Sequence, residues 1–288
     1  MSKLSRLLSE LGAGDSTLST RRRAQIILQR LFHGRRQRAV GDTWDRYVQN
    51  ALGYAPDGVP GDEWGAARLW DYRFAELFQL YGVDAWRQAV EIGQGSGKYT
   101  ERVLQASPRV VVHCLDVSRE FLSLLRRKHG ALCEAGRIQP VLLHGDRADE
   151  MLRYCDAQGL RRRLDAVFSI DAMVHVDLQF LIAYLVTASL CLRRGGHLIL
   201  TLADPTTARG FDKLLRDMRA MYLPGTRKAP QFQWVSGDIV RHVLGALGFA
   251  VVRCDAPAPE SSTPRDLFVV GRLDDPARAD GFERYLAS

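Results

Sequence analysis

The sequence has few cysteines, and none of them is spaced for metal binding. Five cysteines are scattered over 288 residues, without the paired spacing that would mark a zinc site. The same scatter differs from the dense cysteine framework of a disulfide scaffold. Zinc-ribbon and disulfide-rich folds are therefore excluded, and the composition predicts a protein of the reducing cytoplasm.

Long hydrophobic runs are also missing. The longest apolar stretch, Phe180 to Leu192, is too short to cross a bilayer and is predicted to be a core helix. No signal peptide is visible. Nothing is similar to an RNA-recognition motif or to a basic sheet studded with aromatic residues, so the sequence predicts no nucleic-acid partner.

What the sequence does contain is enough apolar content for one large core. Hydrophobic residues make up 46% of the chain, and stretches of strand character alternate with stretches of helical character, which predicts an α/β domain with a mostly parallel sheet. We place a basic arm at residues 1–40, a helical, aromatic-rich segment at 41–85, the α/β domain at 86–273 and a C-terminal tail at 274–288.

Positive charge is concentrated in the first 40 residues. That arm holds nine Lys and Arg residues against two Asp and Glu residues, which accounts for the formal net charge of +7 of the whole chain. Within the arm, Arg21 to His33 has the apolar periodicity of an amphipathic helix. Such a helix either packs its apolar face on the domain or contacts an anionic membrane or an acidic partner.

The most informative segment is a glycine-rich turn between a strand and a helix. A short apolar strand includes Glu91, and Gly93, Gly95 and Gly97 follow before a helical pattern begins. Glycines at these positions let the backbone adopt positive φ and bring its amides close to a ligand. The spacing excludes a P-loop, and a dinucleotide-binding fingerprint would place its third glycine at position 98, where the chain has a lysine.

The pattern Glu-Ile-Gly-x-Gly-x-Gly resembles motif I of class I S-adenosylmethionine-dependent methyltransferases. Three later segments are similar to the same family: Asp116 after the second predicted strand, Gly145-Asp146-Arg147 after the third, and Leu192 to Leu200 leading into the fifth. A carboxylate at the tip of the second strand can accept two hydrogen bonds from a ribose diol, and helix capping is the alternative role of Asp116. The resemblance covers about residues 86–272.

The resemblance implies a fold and a cofactor site. The expected fold is a single Rossmann-like α/β sheet of seven strands in the order 3-2-1-4-5-7-6, with the last strand antiparallel, helices on both faces and an N-terminal helical lid. The expected cofactor is S-adenosyl-L-methionine, with S-adenosyl-L-homocysteine as its product. The residues implied to contact it are Glu91, Gly93, Gly95, Gly97, Asp116, Val117, Asp146, Arg147 and Ile170.

Methyl transfer from a sulfonium is an in-line displacement, so the site needs alignment and a base for the nucleophile. His175 follows the fourth predicted strand, where many small-molecule methyltransferases carry a histidine, and it is our candidate base. Its alternative roles are a hydrogen bond to the loop or a cap on the next helix. Asp171 is the rival base. Asp171 and Asp204 could instead hold a divalent cation, but without a recognisable third ligand we assign no metal site.

Aromatic and cationic residues outside these motifs are the candidates for acceptor binding. Trp44, Tyr47 and Trp64 belong to the aromatic-rich segment, whereas Arg227 and Trp234 belong to an insertion before the sixth predicted strand. Core packing is the alternative role of the rings, and an ordinary surface loop is the alternative for the insertion.

The leading hypothesis from the sequence is methyl transfer to an oxygen or nitrogen of a small molecule, such as a sugar or glycan precursor. The Asn/Asp-Pro-Pro-aromatic motif of enzymes that methylate amino groups in nucleic acids is missing after the fourth strand. Two alternatives stay open: a protein methyltransferase whose aromatic segment forms a peptide groove, and a non-catalytic module that keeps the fold to bind a partner.

Overall fold

The computed structural model describes residues 41–53, 58–145, 147–221, 232–257 and 263–286. The basic arm, with its predicted helix from Arg21 to His33, lies outside the described residues, as do Asp146 and Arg227. The suggested contact of the arm with a membrane or an acidic partner therefore stays a prediction.

Seven strands form one sheet: β1 Gln88–Ile92, β2 Val111–Asp116, β3 Ile138–Leu142, β4 Leu164–Ser169, β5 Leu192–Ala203, β6 Phe249–Asp255 and β7 Asp266–Leu273. Their order across the sheet is β3-β2-β1-β4-β5-β7-β6. Strand β7 runs antiparallel to both β5 and β6, and the other neighbouring strands are parallel. The predicted fold class and strand order are confirmed.

Helices precede the sheet and cover both of its faces. They are α1 (residues 41–53), α2 Ala67–Leu77, α3 Lys98–Ala106, α4 Arg119–Lys128, α5 Gly130–Glu134, α6 Glu150–Ala157, α7 Leu178–Cys191, α8 Ala208–Met221, α9 Gly237–Ala246 and α10 Ala277–Asp280. Short 3₁₀ turns lie at Gln79–Tyr81, Val83–Ala85, Met173–His175 and Glu283–Tyr285.

The central strands are apolar because both faces of the sheet are covered. Every residue of β4 is buried, and so is every residue of β1 except Gln88. Alternate residues feed two core clusters: Val90 joins the cluster beneath α6, α7 and α9, whereas Ala89 joins the cluster beneath α2 and α3. This double burial is the reason that parallel strands appear as nearly continuous apolar runs in a sequence.

Helix α7 contains most of the longest apolar stretch of the chain. Nine of its fourteen residues are buried, and its N-terminus is capped by Asp177, whose Oδ1 accepts a hydrogen bond of 3.1 Å from the backbone N–H of Phe180. The predicted core helix is confirmed. In the part of the chain that the structure describes, no helix is long and apolar enough to cross a membrane.

The C-terminal tail, for which the sequence predicts no role, helps to close the core because Ala279 and Leu286 are buried against it.

Candidate active site

The carboxyl ends of β1, β2 and β4 open into a cleft of about 920 Å³, measured to its open mouth. Loops that follow neighbouring parallel strands meet at one edge of a sheet, and open α/β sheets bind their ligands at this edge. Ten of the predicted site residues line the cleft: Trp44, Trp64, Glu91, Gly93, Gly95, Asp116, Val117, Ile170, Asp171 and His175.

The glycine turn packs tightly against the loop after β4. Gly93 has φ +70°, and its backbone N–H donates a hydrogen bond of 2.7 Å to the carbonyl of Leu115. A Cβ on Gly93 would lie 2.3 Å from the Cβ of Ala172, well inside van der Waals contact. Glycine is therefore required here both for the backbone conformation and for the close approach of the two loops.

Glu91 is a buried carboxyl group beside the glycine turn. It is 2% exposed, and the hydroxyl of Thr100 donates a hydrogen bond to its carboxyl group. Burial raises the pKa of Glu91 to about 8, against a smaller lowering effect of the Thr100 hydrogen bond. The side chain therefore holds a proton at neutral pH, and a cation placed beside it would favour the ionised form.

Asp116 ends β2 and faces the cleft. Its Oδ1 accepts a hydrogen bond of 2.8 Å from the backbone N–H of Ser118. Burial raises the pKa of Asp116 to about 6, although neighbouring backbone amides act in the opposite direction. The cap of α4 is Ser118, whose Oγ accepts a hydrogen bond from Phe121, so the carboxylate of Asp116 stays oriented as a hydrogen-bond acceptor.

Helix α1 is tied to the start of α4, next to Asp116. Oδ1 of Asp45 accepts hydrogen bonds from the hydroxyl of Ser118 at 2.6 Å and from the backbone N–H of Glu120 at 3.1 Å. A Cβ on Gly41 would lie 2.7 Å from the carbonyl oxygen of Val117, which explains the glycine at the start of the helix. Helix α1 therefore lies over the Asp116 end of the cleft.

Residues 58–66 form a second cover, which Lys98 fastens to the glycine turn. Nζ of Lys98 donates hydrogen bonds to the carbonyls of Gly61 at 3.1 Å and Trp64 at 3.4 Å, and it lies 4.5 Å from the ring centre of Trp70. Burial lowers the pKa of Lys98. The ammonium group thus lines the cleft while it holds the covering segment.

Aromatic rings make up one wall of the cleft. The ring centre of Trp44 lies 5.6 Å from that of Trp64 and 6.3 Å from that of Phe121. Tyr47 packs behind this wall, 4.9 Å from Trp64, and its hydroxyl donates to the carboxylate of Glu63. Of the three predicted aromatic residues of this segment, Trp44 and Trp64 line the cleft and Tyr47 supports them.

Asp171 is held by two arginines. Nη1 of Arg73 lies 2.6 Å from Oδ2, and Nη2 of Arg265 lies 3.3 Å from Oδ1. Burial acts to raise the pKa of Asp171, but the two guanidinium groups outweigh it and lower the pKa to about 2. A carboxylate with so low a pKa is a weak proton acceptor.

His175 ends the 3₁₀ turn that follows β4 and lines the cleft. The ring of Trp44 meets it edge-on with 5.3 Å between ring centres, and the ring of Phe232 stacks on it at 5.1 Å and 22°. The helix-capping role considered for His175 does not apply, because Asp177 caps α7. The imidazole is therefore placed at the cleft by its turn and by two aromatic neighbours.

Comparisons with known proteins were made for the sequence and for the structure. No family model matches the chain, and no curated protein sequence matches it. An O-methyltransferase family protein from Burkholderia thailandensis superposes with a TM-score of 0.54 at 15% identity, covering 72% of this chain and 57% of that one. The pyocyanin biosynthetic protein PhzM superposes with a TM-score of 0.50 at 20% identity, covering 72% and 55%.

A third solved structure is matched over more of its own length. It is a chain from the complex between a Haloferax volcanii methyltransferase activator and a putative methyltransferase, with a TM-score of 0.54, 16% identity and coverage of 82% of this chain and 98% of that one. The chain described here spans little more than half the length of the first two proteins. The fold is that of class I S-adenosylmethionine-dependent methyltransferases.

Two polar side chains of the glycine turn are buried at the cleft. Gln94 and Ser96 are each 4% exposed and line the cleft. Within the described ranges, the amide of Gln94 and the hydroxyl of Ser96 have no hydrogen-bond partner. Buried polar groups are normally hydrogen-bonded, so a polar ligand lying along the turn would satisfy them. Neither residue stands out in the sequence, because the glycines dominate the pattern of this turn.

Two predicted cofactor residues lie away from the cleft. Gly97 is buried behind the turn, where a Cβ would lie 2.7 Å from Cδ1 of Leu125, so its lack of a side chain serves packing between α3 and α4. Arg147 is exposed and pairs with Asp149 at 2.7 Å. Asp146, the residue directly before Arg147, is outside the described residues.

The predicted insertion places Phe232, instead of the expected Trp234, against His175. Trp234 forms a backbone bridge with Ala203 and does not line the cleft. Phe232, two residues earlier, contacts His175. Arg227 lies outside the described residues, so its role in acceptor binding stays a prediction.

The metal alternative finds no support at Asp171. Its two carboxylate oxygens face arginines, and Oδ1 of Asp204 accepts a hydrogen bond of 2.7 Å from the backbone N–H of Thr206. Across the described residues, no three His, Cys, Asp or Glu side chains come together in a group that could hold a metal ion.

Proposed function

We propose that this chain is an S-adenosylmethionine-dependent methyltransferase that transfers a methyl group to an oxygen, or to a nitrogen, of a small molecule. The observation that carries the proposal is the content of one cleft. The glycine turn, the carboxylate of Asp116 and the imidazole of His175 all line it, at the edge of the sheet where this fold binds ligands.

Residues on three loops would hold the cofactor. Asp116 would accept hydrogen bonds from the ribose hydroxyls, because a carboxylate has two acceptor oxygens for a diol. Gln94 and Ser96 would bind the polar amino-acid end along the glycine turn, where their side chains are buried. Val117 and Ile170 supply apolar surface between these polar groups.

His175 would act as the general base in the same cleft. When bound, S-adenosylmethionine supplies a methyl group on a positively charged sulfur. An imidazole nitrogen of His175 would accept the proton of the acceptor O–H or N–H. A positioned base contributes about a hundredfold to ten-thousandfold in rate. Alignment can lower the activation barrier by on the order of 7 to 11 kcal/mol. The cleft walls that position the acceptor therefore account for the larger part of the barrier reduction.

The first experiment is calorimetric titration of the full chain with S-adenosylmethionine and S-adenosylhomocysteine. We expect micromolar binding, and Asp116→Ala is expected to weaken it at least about tenfold, which corresponds to about 1.4 kcal/mol. Asp84→Ala, which changes an exposed carboxylate next to β1, is the matched control and should leave the affinity unchanged. Failure of the folded wild-type protein to bind either compound would reject the enzyme and favour the partner-binding module.

The second experiment tests His175 once an acceptor is known. His175→Ala and His175→Gln are expected to keep the cofactor affinity and to lower turnover at least about a hundredfold at saturating acceptor. Unchanged turnover in both variants would remove His175 from the role of base.

We infer an acceptor of the sugar or glycan-precursor class. Trp64 lines the cleft and is 41% exposed, so it offers a ring face on which a sugar could stack. Screening labelled methyl transfer to sugars, phenols and peptides separates the classes. Transfer to peptides alone would favour the protein-methyltransferase alternative. A cytoplasmic location and the absence of a nucleic-acid partner remain part of this proposal, supported by the sequence arguments above.

A further inference from the structure

The imidazole of His175 is fixed by two rings at different angles. Phe232 stacks on its face, with an interplanar angle of 22°, whereas Trp44 meets it at 64°. A histidine side chain can otherwise turn about the bond to its ring, because this terminal torsion has broad energy minima. A stacked ring on one side and an edge contact on another restrict that rotation.

The backbone places Phe232 against the turn that carries His175. The N–H of Gln233 donates a hydrogen bond of 2.7 Å to the carbonyl of Val174, one residue before His175. Two residues further along, the N–H of Val235 donates a hydrogen bond of 2.9 Å to the carbonyl of Ala203 at the end of β5. Phe232 is therefore the first residue of a short segment, residues 232–235, that is hydrogen-bonded to both the turn and the sheet.

Two cations lie close to the Phe232 ring. The guanidinium carbon of Arg265 lies 4.3 Å from the ring centre, and Nζ of Lys213 lies 4.9 Å from it. Arg265 is held in turn by Asp266 at 2.6 Å and by Asp171 at 3.3 Å. Cations within about 6 Å of an aromatic ring are attracted to its face, so these groups fix the position of the ring.

We propose that Phe232 is a positioning residue that sets the orientation of the His175 imidazole for proton transfer. The Arg265–Asp171 ion pair braces the ring of Phe232, and this gives Asp171 a supporting role instead of a basic one. The inference rests on the proposed function of His175 as the base. It brings Phe232, two residues before the predicted acceptor-binding residue Trp234, into the support of the candidate base.

The stacking of Phe232 on His175 can be measured without any acceptor. In ¹H–¹³C spectra of histidine side chains, the His175 resonance is assigned by its absence in His175→Gln. Phe232→Leu and Phe232→Met remove the ring and keep apolar volume, so each should shift the His175 resonance through loss of the ring current. Phe232→Tyr keeps the ring and should keep the resonance near its wild-type position. Phe282→Leu is the matched control, because Phe282 packs on the core beside α10.

Kinetics give the second readout once an acceptor is known. Phe232→Leu should lower kcat at least about tenfold, because a misoriented base loses the alignment that proton transfer needs. The acceptor KM and the S-adenosylmethionine affinity should stay within about twofold, and Phe232→Tyr should restore kcat. A merely structural role would lower the melting temperature without this pattern.

The outcomes separate this inference from the proposed function. An unshifted His175 resonance in both Phe232→Leu and Phe232→Met would overturn the positioning role, even in an active enzyme. A shifted resonance with unchanged kcat would also overturn it. Absence of cofactor binding in the wild-type protein would instead reject the proposed function, and the spectra would still report whether Phe232 stacks on the imidazole.

Discussion

The buried carboxyl group of Glu91 predicts that rising pH destabilises this protein. Its pKa is about 8 in the folded chain, against an ordinary value of 4.5. Between these two values the folded chain keeps a proton that the unfolded chain has released, so each increase in pH favours the unfolded state. One pH unit corresponds to about 1.4 kcal/mol, so Glu91 lowers the free energy of unfolding by about 3 kcal/mol at pH 7 and about 5 kcal/mol above pH 8.

Replacing Glu91 with glutamine removes this titration and keeps an oxygen that can accept the hydrogen bond from Thr100. The difference in unfolding free energy between Glu91→Gln and the wild type near pH 4.5 is the reference value. Relative to that reference value, the variant should gain about 3 kcal/mol by pH 7 and about 5 kcal/mol by pH 8.5. Asp116 also has a raised pKa, but it titrates in both proteins and largely cancels in the difference.

Urea denaturation at pH 4.5, 7 and 8.5 measures this difference. Glu134→Gln is the matched control, since Glu134 is exposed on α5, and its difference from the wild type should not change with pH. If the difference in unfolding free energy between Glu91→Gln and the wild type stays constant from pH 4.5 to 8.5, Glu91 does not hold a proton in the folded chain. The argument from its burial is then wrong.

Two further substitutions test the packing around the cleft. Gly93→Ala should lower the free energy of unfolding by about 2 to 4 kcal/mol, because it combines positive φ with overlap against Ala172. Gly159 has a similar φ, and a Cβ there would meet open space. In urea denaturation, Gly159→Ala should therefore lower the free energy of unfolding by only about 1 to 2 kcal/mol. Equal losses in the Gly93 and Gly159 variants would refute the overlap with Ala172. Asp45→Ala should speed amide hydrogen exchange in residues 41–53, because it removes the tie between α1 and α4. Asp42→Ala, an exposed change on the same helix, should not, and equal exchange in both variants would show that Asp45 does not hold α1.

The sheet could be predicted because its signals are local. Buried parallel strands leave continuous apolar runs, and a glycine-rich turn after β1 and an acid after β2 mark the carboxyl edge of the sheet. Once the strand order is set, the loops after neighbouring strands must meet. Glu91, Asp116 and His175 could therefore be placed in one site from the sequence.

The roles of individual side chains were less predictable. Gly97 fits the sequence motif, but its lack of a side chain also serves helix packing, and what a Cβ there would meet depends on where α4 lies. Asp171 was a reasonable base from its position after β4. Its arginine partners are 98 and 94 residues away along the chain, and no local pattern indicates them.

The sequence by itself determined the alternation of strands and helices, and its resemblance to class I methyltransferase motifs implied the strand order and the edge of the sheet at which the site lies. The alternation depends on hydrophobic periodicity and the motifs on glycines and acids, which act within a few residues of chain. Only the tertiary structure decided that Arg73 and Arg265 neutralise Asp171, that Lys98 fastens the cover, and that Phe232 meets His175. Such contacts join distant segments, and their free energies depend on burial and on distance, which chain folding alone establishes.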